Sequence, residues 1–173
     1  HPASIWPAQQ AKIPVKLLNT MQPDAAGTLI TQEASGLGVK AVAAKDNIWA
    51  IRIKSTRMLL AYGFLRKVFE VFERYRTPID MVSTSEVAVS LTIDSDTHLN
   101  EIISELKGFG TVEVDSGQVI VSVVGQEMVS QPGVLERLYR SIGEIPVRMV
   151  CQGGSPHNIS LLVAAEYKKA LLQ

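Results

Sequence analysis

Cysteine is nearly missing from this sequence: Cys151 is the only one in 173 residues. A single thiol excludes an internal disulfide and any cysteine-based zinc cluster. It fits a reducing cytosol, so a cytoplasmic setting is expected. An excess of one charge is missing too, since 17 basic residues are matched by 17 acidic ones. A balanced chain presents no dominant basic face, which argues against a nucleic acid or an anionic membrane as partner. Aromatic residues are scarce, at 6%. No uncharged apolar run approaches the roughly 20 residues that span a bilayer, and no signal-peptide pattern opens the chain. The three histidines offer no second His or Cys at ligand spacing, so no metal site is expected. What is present is a globular composition, 46% hydrophobic and 20% charged. A chain of this length buries roughly 70% of its unfolded surface, enough for a core without staples. It begins at His1-Pro2 without a Met and is expected to be a piece of something longer.

Hydrophobic spacing divides the chain. Residues 1–31 carry scattered apolar positions and one short strand at 13–18; Gly36 and Gly38 then mark a flexible connection over 32–38. Gly36-Leu37-Gly38 is too short for a phosphate loop. Residues 39–43 form an apolar run closed by the turn signal Lys45-Asp46-Asn47. Trp49, Ile51 and Ile53 then alternate with Ala50, Arg52 and Lys54, the period of a half-buried strand. After Gly63 the period changes: Leu65, Val68, Phe69 and Phe72 form the apolar face of a helix, supported by Glu70 and Arg74 one turn apart. Thr77-Pro78 ends it. Strands are predicted at 79–82 and 87–93, a second helix from Leu99 through Leu106 to Gly108, and a strand at Val112 and Val114 up to the turn Asp115-Ser116-Gly117. The order from 47 to 115 is β-α-β-β-α-β, the ferredoxin-like arrangement.

The second half repeats the first. Gly63-Phe64-Leu65-x-x-Val68-Phe69-x-x-Phe72 aligns with Gly133-Val134-Leu135-x-x-Leu138-Tyr139-x-x-Ile142, and Pro78-Ile79-Asp80-Met81-Val82 with Pro146-Val147-Arg148-Met149-Val150. The helix after Gly133 is expected to turn Val134, Leu135, Leu138 and Ile142 inward. One strand is missing from this copy, and an uncovered sheet edge is something folds avoid. Residues 39–43 are the spare strand. The expected fold is therefore α+β, two ferredoxin-like βαββαβ units with the first inserted in the second. The boundaries read 1–31 for the end of a neighbouring domain, 32–46 for a linker plus the completing strand, 47–117 for the first unit and 118–173 for the second.

Two such units, each with glycine at its first strand-to-helix turn, resemble a pair of ACT domains, the small-molecule sensors of amino-acid metabolism. Lys54-Ser55-Thr56-Arg57-Met58-Leu59, Gly63-Phe64-Leu65 and the stretch from Pro78 through Thr84-Ser85-Glu86-Val87 resemble the first ACT domain of aspartokinases. Arg148-Met149-Val150-Cys151 with Ser155-Pro156-His157-Asn158-Ile159 resembles the second, and residues 1–30 resemble the end of that family's kinase domain. Aspartokinases phosphorylate the side-chain carboxylate of aspartate with MgATP, and an end product bound to the ACT pair shuts them off. The resemblance implies a regulatory piece without catalytic residues or a cofactor of its own, MgATP belonging to the attached kinase domain. The implied partners are L-lysine and a second copy of the chain, joined through the ACT domains.

An amino-acid sensor must hold an α-carboxylate, an α-ammonium and a side chain. The unpaired N–H groups of Phe64 and Leu65, behind Gly63, suit the carboxylate. By resemblance Asp80, beside Ile79, takes the ε-ammonium of lysine, while Thr84, Ser85 and Glu86 line the site at a dimer interface with Met58 and Pro78 walling it. Ala61 departs from the serine common in lysine-sensing relatives. Arg148, at the position equivalent to Asp80, would repel lysine, which points to the first unit alone as the lysine site. His157 and Asn158 are candidates for the second unit's subunit contact. Threonine sensing, or a dimerisation module that binds nothing, are the alternatives. An RNA-binding reading fails for want of exposed aromatics and basic charge.

Overall fold

The computed structural model describes residues 2–31, 38–55 and 62–173. The chain divides into two compact units, 1–37 and 38–173. In the first, a 3-10 turn (Pro2–Ser4) and helix α1 (Trp6–Gln10) precede a small antiparallel pair, β1 (Val15–Leu17) and β2 (Thr28–Ile30).

The second unit contains β3 (Gly38–Lys54), α2 (Phe64–Arg74), β4 (Val82–Thr84), β5 (Ala88–Ile93), α3 (Leu99–Leu106), β6 (Thr111–Gln126), α4 (Val134–Ile142), β7 (Met149–Gln152), β8 (Asn158–Ala164) and α5 (Lys168–Leu171). Its strands form one sheet in the order β4-β5-β3-β6-β8-β7. Two long strands make this possible. Residues 48–54 of β3 lie between β5 and the first part of β6, a ferredoxin-like set with α2 and α3. Val39 pairs with Gly125, Val42 with Val123 and Lys45 with Ile120, while β8 flanks the same part of β6. Residues 39–45 are thus the fourth strand of the second set, and the first set is inserted within it.

Two expected turns are absent as turns. Lys45-Asp46-Asn47 and Asp115-Ser116-Gly117 are irregularities inside β3 and β6, where the register shifts between Lys45 and Ala50. Asn47 and Gly117 take left-handed φ values of 58° and 64° there. Residues prone to positive φ bend a paired strand when both flanks keep their ladder, as a bulge does. The strand expected at 79–82 also lies later, at β4, because the Asp80 and Met81 N–H groups bond to Thr92 alone, its carbonyl at 2.9 Å and its Oγ1 at 3.0 Å.

Ile51, Ile53, Val89, Leu91 and Ile93 of the sheet pack on Val68, Val71 and Phe72 of α2 and Ile102 and Leu106 of α3. The apolar face of α2 is rotated from expectation: Val71 is buried and Phe69 is exposed. Arg66 pairs with Glu70, and Arg74 reaches Glu105 instead of Glu70. In the second copy Val134 and Ile142 are buried, but Leu135 faces out. On the other sheet face Ile48, Met81, Ile120, Met149 and Leu162 form a cluster that joins the two sets, and the Cys151 thiol donates to the Val82 carbonyl at 3.4 Å across the sheet's two edges.

Candidate functional site

The residues singled out by sequence separate into two groups at opposite ends of the first set. The upper group starts at Gly63, which caps α2 in the left-handed region at φ 79°, a torsion that requires glycine. Among the described residues no side chain caps this helix, and its first turn contains no acid. The first intrahelical donor is the Lys67 N–H, to the Gly63 carbonyl at 3.2 Å, so the N–H groups of Phe64 and Leu65 have no acceptor within the helix. The helix dipole makes that end attractive to an anion. A Cβ on Gly63 would meet nothing within 4 Å among the described residues. The Phe64 ring meets Phe109 edge-on at 6.4 Å between centroids, just before β6 pairs with Lys54. At this same end Thr84 closes β4, and Ser85 donates its N–H to the Ala88 carbonyl at 2.8 Å. Thr84, Ser85 and Glu86 are all exposed at the β4–β5 turn. Met58 and Ala61 lie outside the described residues.

The lower group holds Pro78, Ile79 and Asp80. Ile79 packs on the first core, Pro78 is exposed, and the Asp80 N–H binds the Thr92 carbonyl, level with Ala50 on β3. Ser85 is level with Lys54 by the same ladder. The four residue steps from Ala50 to Lys54 put the two levels about 13 Å apart along the strand.

Asp80 does not stand alone. The Lys45 ammonium donates to Asp80 Oδ1 at 2.6 Å and reaches Asp94 Oδ2 at 2.7 Å. These bonds, that to Asp80 foremost, raise the Lys45 pKa above its ordinary value; the bond from Lys45 holds Asp94 below the usual carboxylate range. The second set carries the same contact with its charges exchanged. The Arg148 N–H binds the Leu162 carbonyl as that of Asp80 binds Thr92, and the Arg148 guanidinium pairs with Asp115. Lys45 and Asp115 were read from sequence as turn residues only. The signal that finds them is the repeat itself: opposite charges stand at 45 and 115 just as they do at 80 and 148.

His157 is exposed, its carbonyl accepting from the Gly125 N–H at 2.8 Å. Asn158 opens β8 and, with Ser155 and Cys151, faces Asp80 and Val82 across a groove of about 490 Å³. No group of acids, histidines or cysteine able to hold a metal occurs among the described residues.

The arrangement offers anion-binding amides at one end and a cation-binding carboxylate at the other. The ACT domain profile matches residues 121–172. A Porphyromonas gingivalis structure described as a C-terminal regulatory domain of aspartate kinase is 48% identical, with a TM-score of 0.69, covering 76% of this chain and 91% of that one. The chain belongs to the aspartokinase family. It corresponds to the aspartokinase regulatory region, built from ACT domains. Escherichia coli aspartokinase III, solved in complex with lysine and aspartate, superposes on all of it with a TM-score of 0.88 at 32% identity, over 40% of that enzyme. Aspartokinase 3 of Arabidopsis thaliana chloroplasts is 37% identical over 94% of this chain. The chain spans about a third of that relative's length, 31%.

Proposed function

We propose that this aspartokinase regulatory region binds L-lysine and, in the whole protein, feedback-inhibits the phosphorylation of L-aspartate by ATP. The observation that carries the lysine reading is the primary ammonium already seated on Asp80 at 2.6 Å. A carboxylate that takes the ammonium of Lys45 has the geometry for that of a free lysine. The lysine complex of the Escherichia coli relative supports the same reading.

An extended lysine measures about 7 Å from carboxylate to ε-nitrogen, less than the span between the two groups on one chain. One ligand therefore engages the α2 amides of one copy and Asp80 of another, which makes a cytoplasmic homodimer the functional unit. Residues 1–31 are assigned to the end of the kinase domain, and inhibition works as a population shift transmitted through 32–38.

Calorimetry tests the reading through a double-mutant cycle. Asp80→Asn should weaken L-lysine binding about 10- to 150-fold, the worth of a charge-assisted hydrogen bond of about 1.5–3 kcal/mol. L-norleucine, which lacks the charge, should lose nothing. A coupling below about 0.5 kcal/mol removes Asp80 as the specificity residue and leaves threonine sensing as the leading reading. Titrations with lysine, threonine and methionine that all stay flat leave a dimerisation module.

A further inference from the structure

We propose that Lys45 is an internal competitor for the effector: its ammonium occupies the Asp80–Asp94 carboxylates, and a ligand ammonium binds Asp80 by displacing it. This rests on the assignment of Asp80 to the ε-ammonium and names the residue that sets the affinity of that contact.

The main chain at Asp80 is held in place, because its own N–H and that of Met81 both bond to Thr92, and its side chain is 21% exposed against 46% for Lys45. The Lys45 ammonium sits on a flexible four-carbon stem, and ion pairs so close to water are weakly held. Exchange keeps an ammonium on Asp80, and the net gain is the ligand's contact less the weaker, solvent-exposed Lys45 pair, while Asp94 retains Lys45 at 2.7 Å. A neutral ligand offers no such replacement and leaves Lys45 where it is. Lys45 is also the last paired residue of β3 before the register shift, at the end of the segment that completes the second set. Displacement therefore acts on a strand that both sets share. The second set has no counterpart to this exchange, since its Arg148 repels a cationic ligand and Asp115 is the partner.

Calorimetric titration of the full chain with L-lysine and L-norleucine tests the proposal in wild type, Lys45→Met, Lys45→Arg and Asp80→Asn. Lys45→Met should bind L-lysine about five-fold tighter, and L-norleucine no tighter. Lys45→Arg, which keeps a cation on both carboxylates, should bind L-lysine no better than wild type and decides the matter if Lys45→Met does not fold. Lysine binding that is unchanged or weaker in Lys45→Met, or tighter in Lys45→Arg, overturns the internal competitor; a persisting loss in Asp80→Asn then leaves the Asp80 assignment standing. Lysine binding indifferent to Asp80→Asn, or absent altogether, overturns both.

Discussion

The two ACT sets share their element order, their glycine-capped first helices and the backbone bond that fixes the residue before their second strand, yet they differ in what they present to a ligand. At that position the first has Asp80 tied to Lys45 and the second Arg148 tied to Asp115. The first turn of α2 contains no acid, whereas that of α4 contains Glu136, which offsets the dipole an anion would use. Repetition of a fold thus preserves the framework while the side-chain charge at equivalent positions is exchanged between the copies. The cores differ as well. Phe72 and Leu106 fill the first set, while α4 and the four-residue α5 leave an apolar groove of about 440 Å³ along Val39, Val42 and Leu138.

The largest effect that would sharpen this contrast is packing. Phe72→Ala, in the fully buried first core, should cost about 3–5 kcal/mol, and Ile142→Ala, beside the open groove, about 2 kcal/mol. Urea unfolding measures both; equal losses would show that the second core is as tight as the first. Next comes the proposed lysine contact. Arg148→Gln should leave lysine affinity within about two-fold, against the 10- to 150-fold loss expected of Asp80→Asn. A comparable loss from Arg148→Gln would mean that both copies bind.

Gly63→Ala and Gly133→Ala force left-handed torsions on a side chain and should each cost about 1–2 kcal/mol of stability. Only Gly63→Ala should also reduce ligand binding in calorimetry. The smallest effect is acid sensitivity. Asp94, Glu105 and Glu113 all belong to the first set and all titrate below their ordinary values, held down chiefly by Lys45, the Tyr75 hydroxyl and Lys54 respectively. A depressed folded pKa contributes stability above the ordinary value, near pH 4, that is lost as pH falls through the folded one. Between pH 5 and 3 the half-buried Trp49 in the first set should therefore report a falling urea midpoint. A midpoint that holds steady would mean these pairs add nothing.

Much of the framework is legible in the sequence. Periods of two and three-to-four residues report which face is buried, so Ile51, Ile53, Val68 and Phe72 identified the first strand and helix. The repeat exposed the missing strand, and the rule against bare edges returned residues 39–43 to it. The glycine-led start of α2 was a local signal as well, whereas Asp80 was singled out by the family resemblance and not by its neighbours.

The turn signals at 45–47 and 115–117 failed for a non-local reason. Whether Asn47 and Gly117 reverse the chain or merely bend it depends on the partner strand, which continued the ladder past both. The orientation of α2 was likewise decided by α3: Arg74 left Glu70 for Glu105, and Val71 replaced Phe69 in the core. Residue order alone thus determined the periodicity, the repeat and the charge difference between the copies. Only tertiary structure decided that Lys45 meets Asp80, 35 residues away in sequence, and that the α2 amides and the Asp80 carboxylate lie at opposite ends of the first set. Distance between elements is set by packing, and no local pattern carries it.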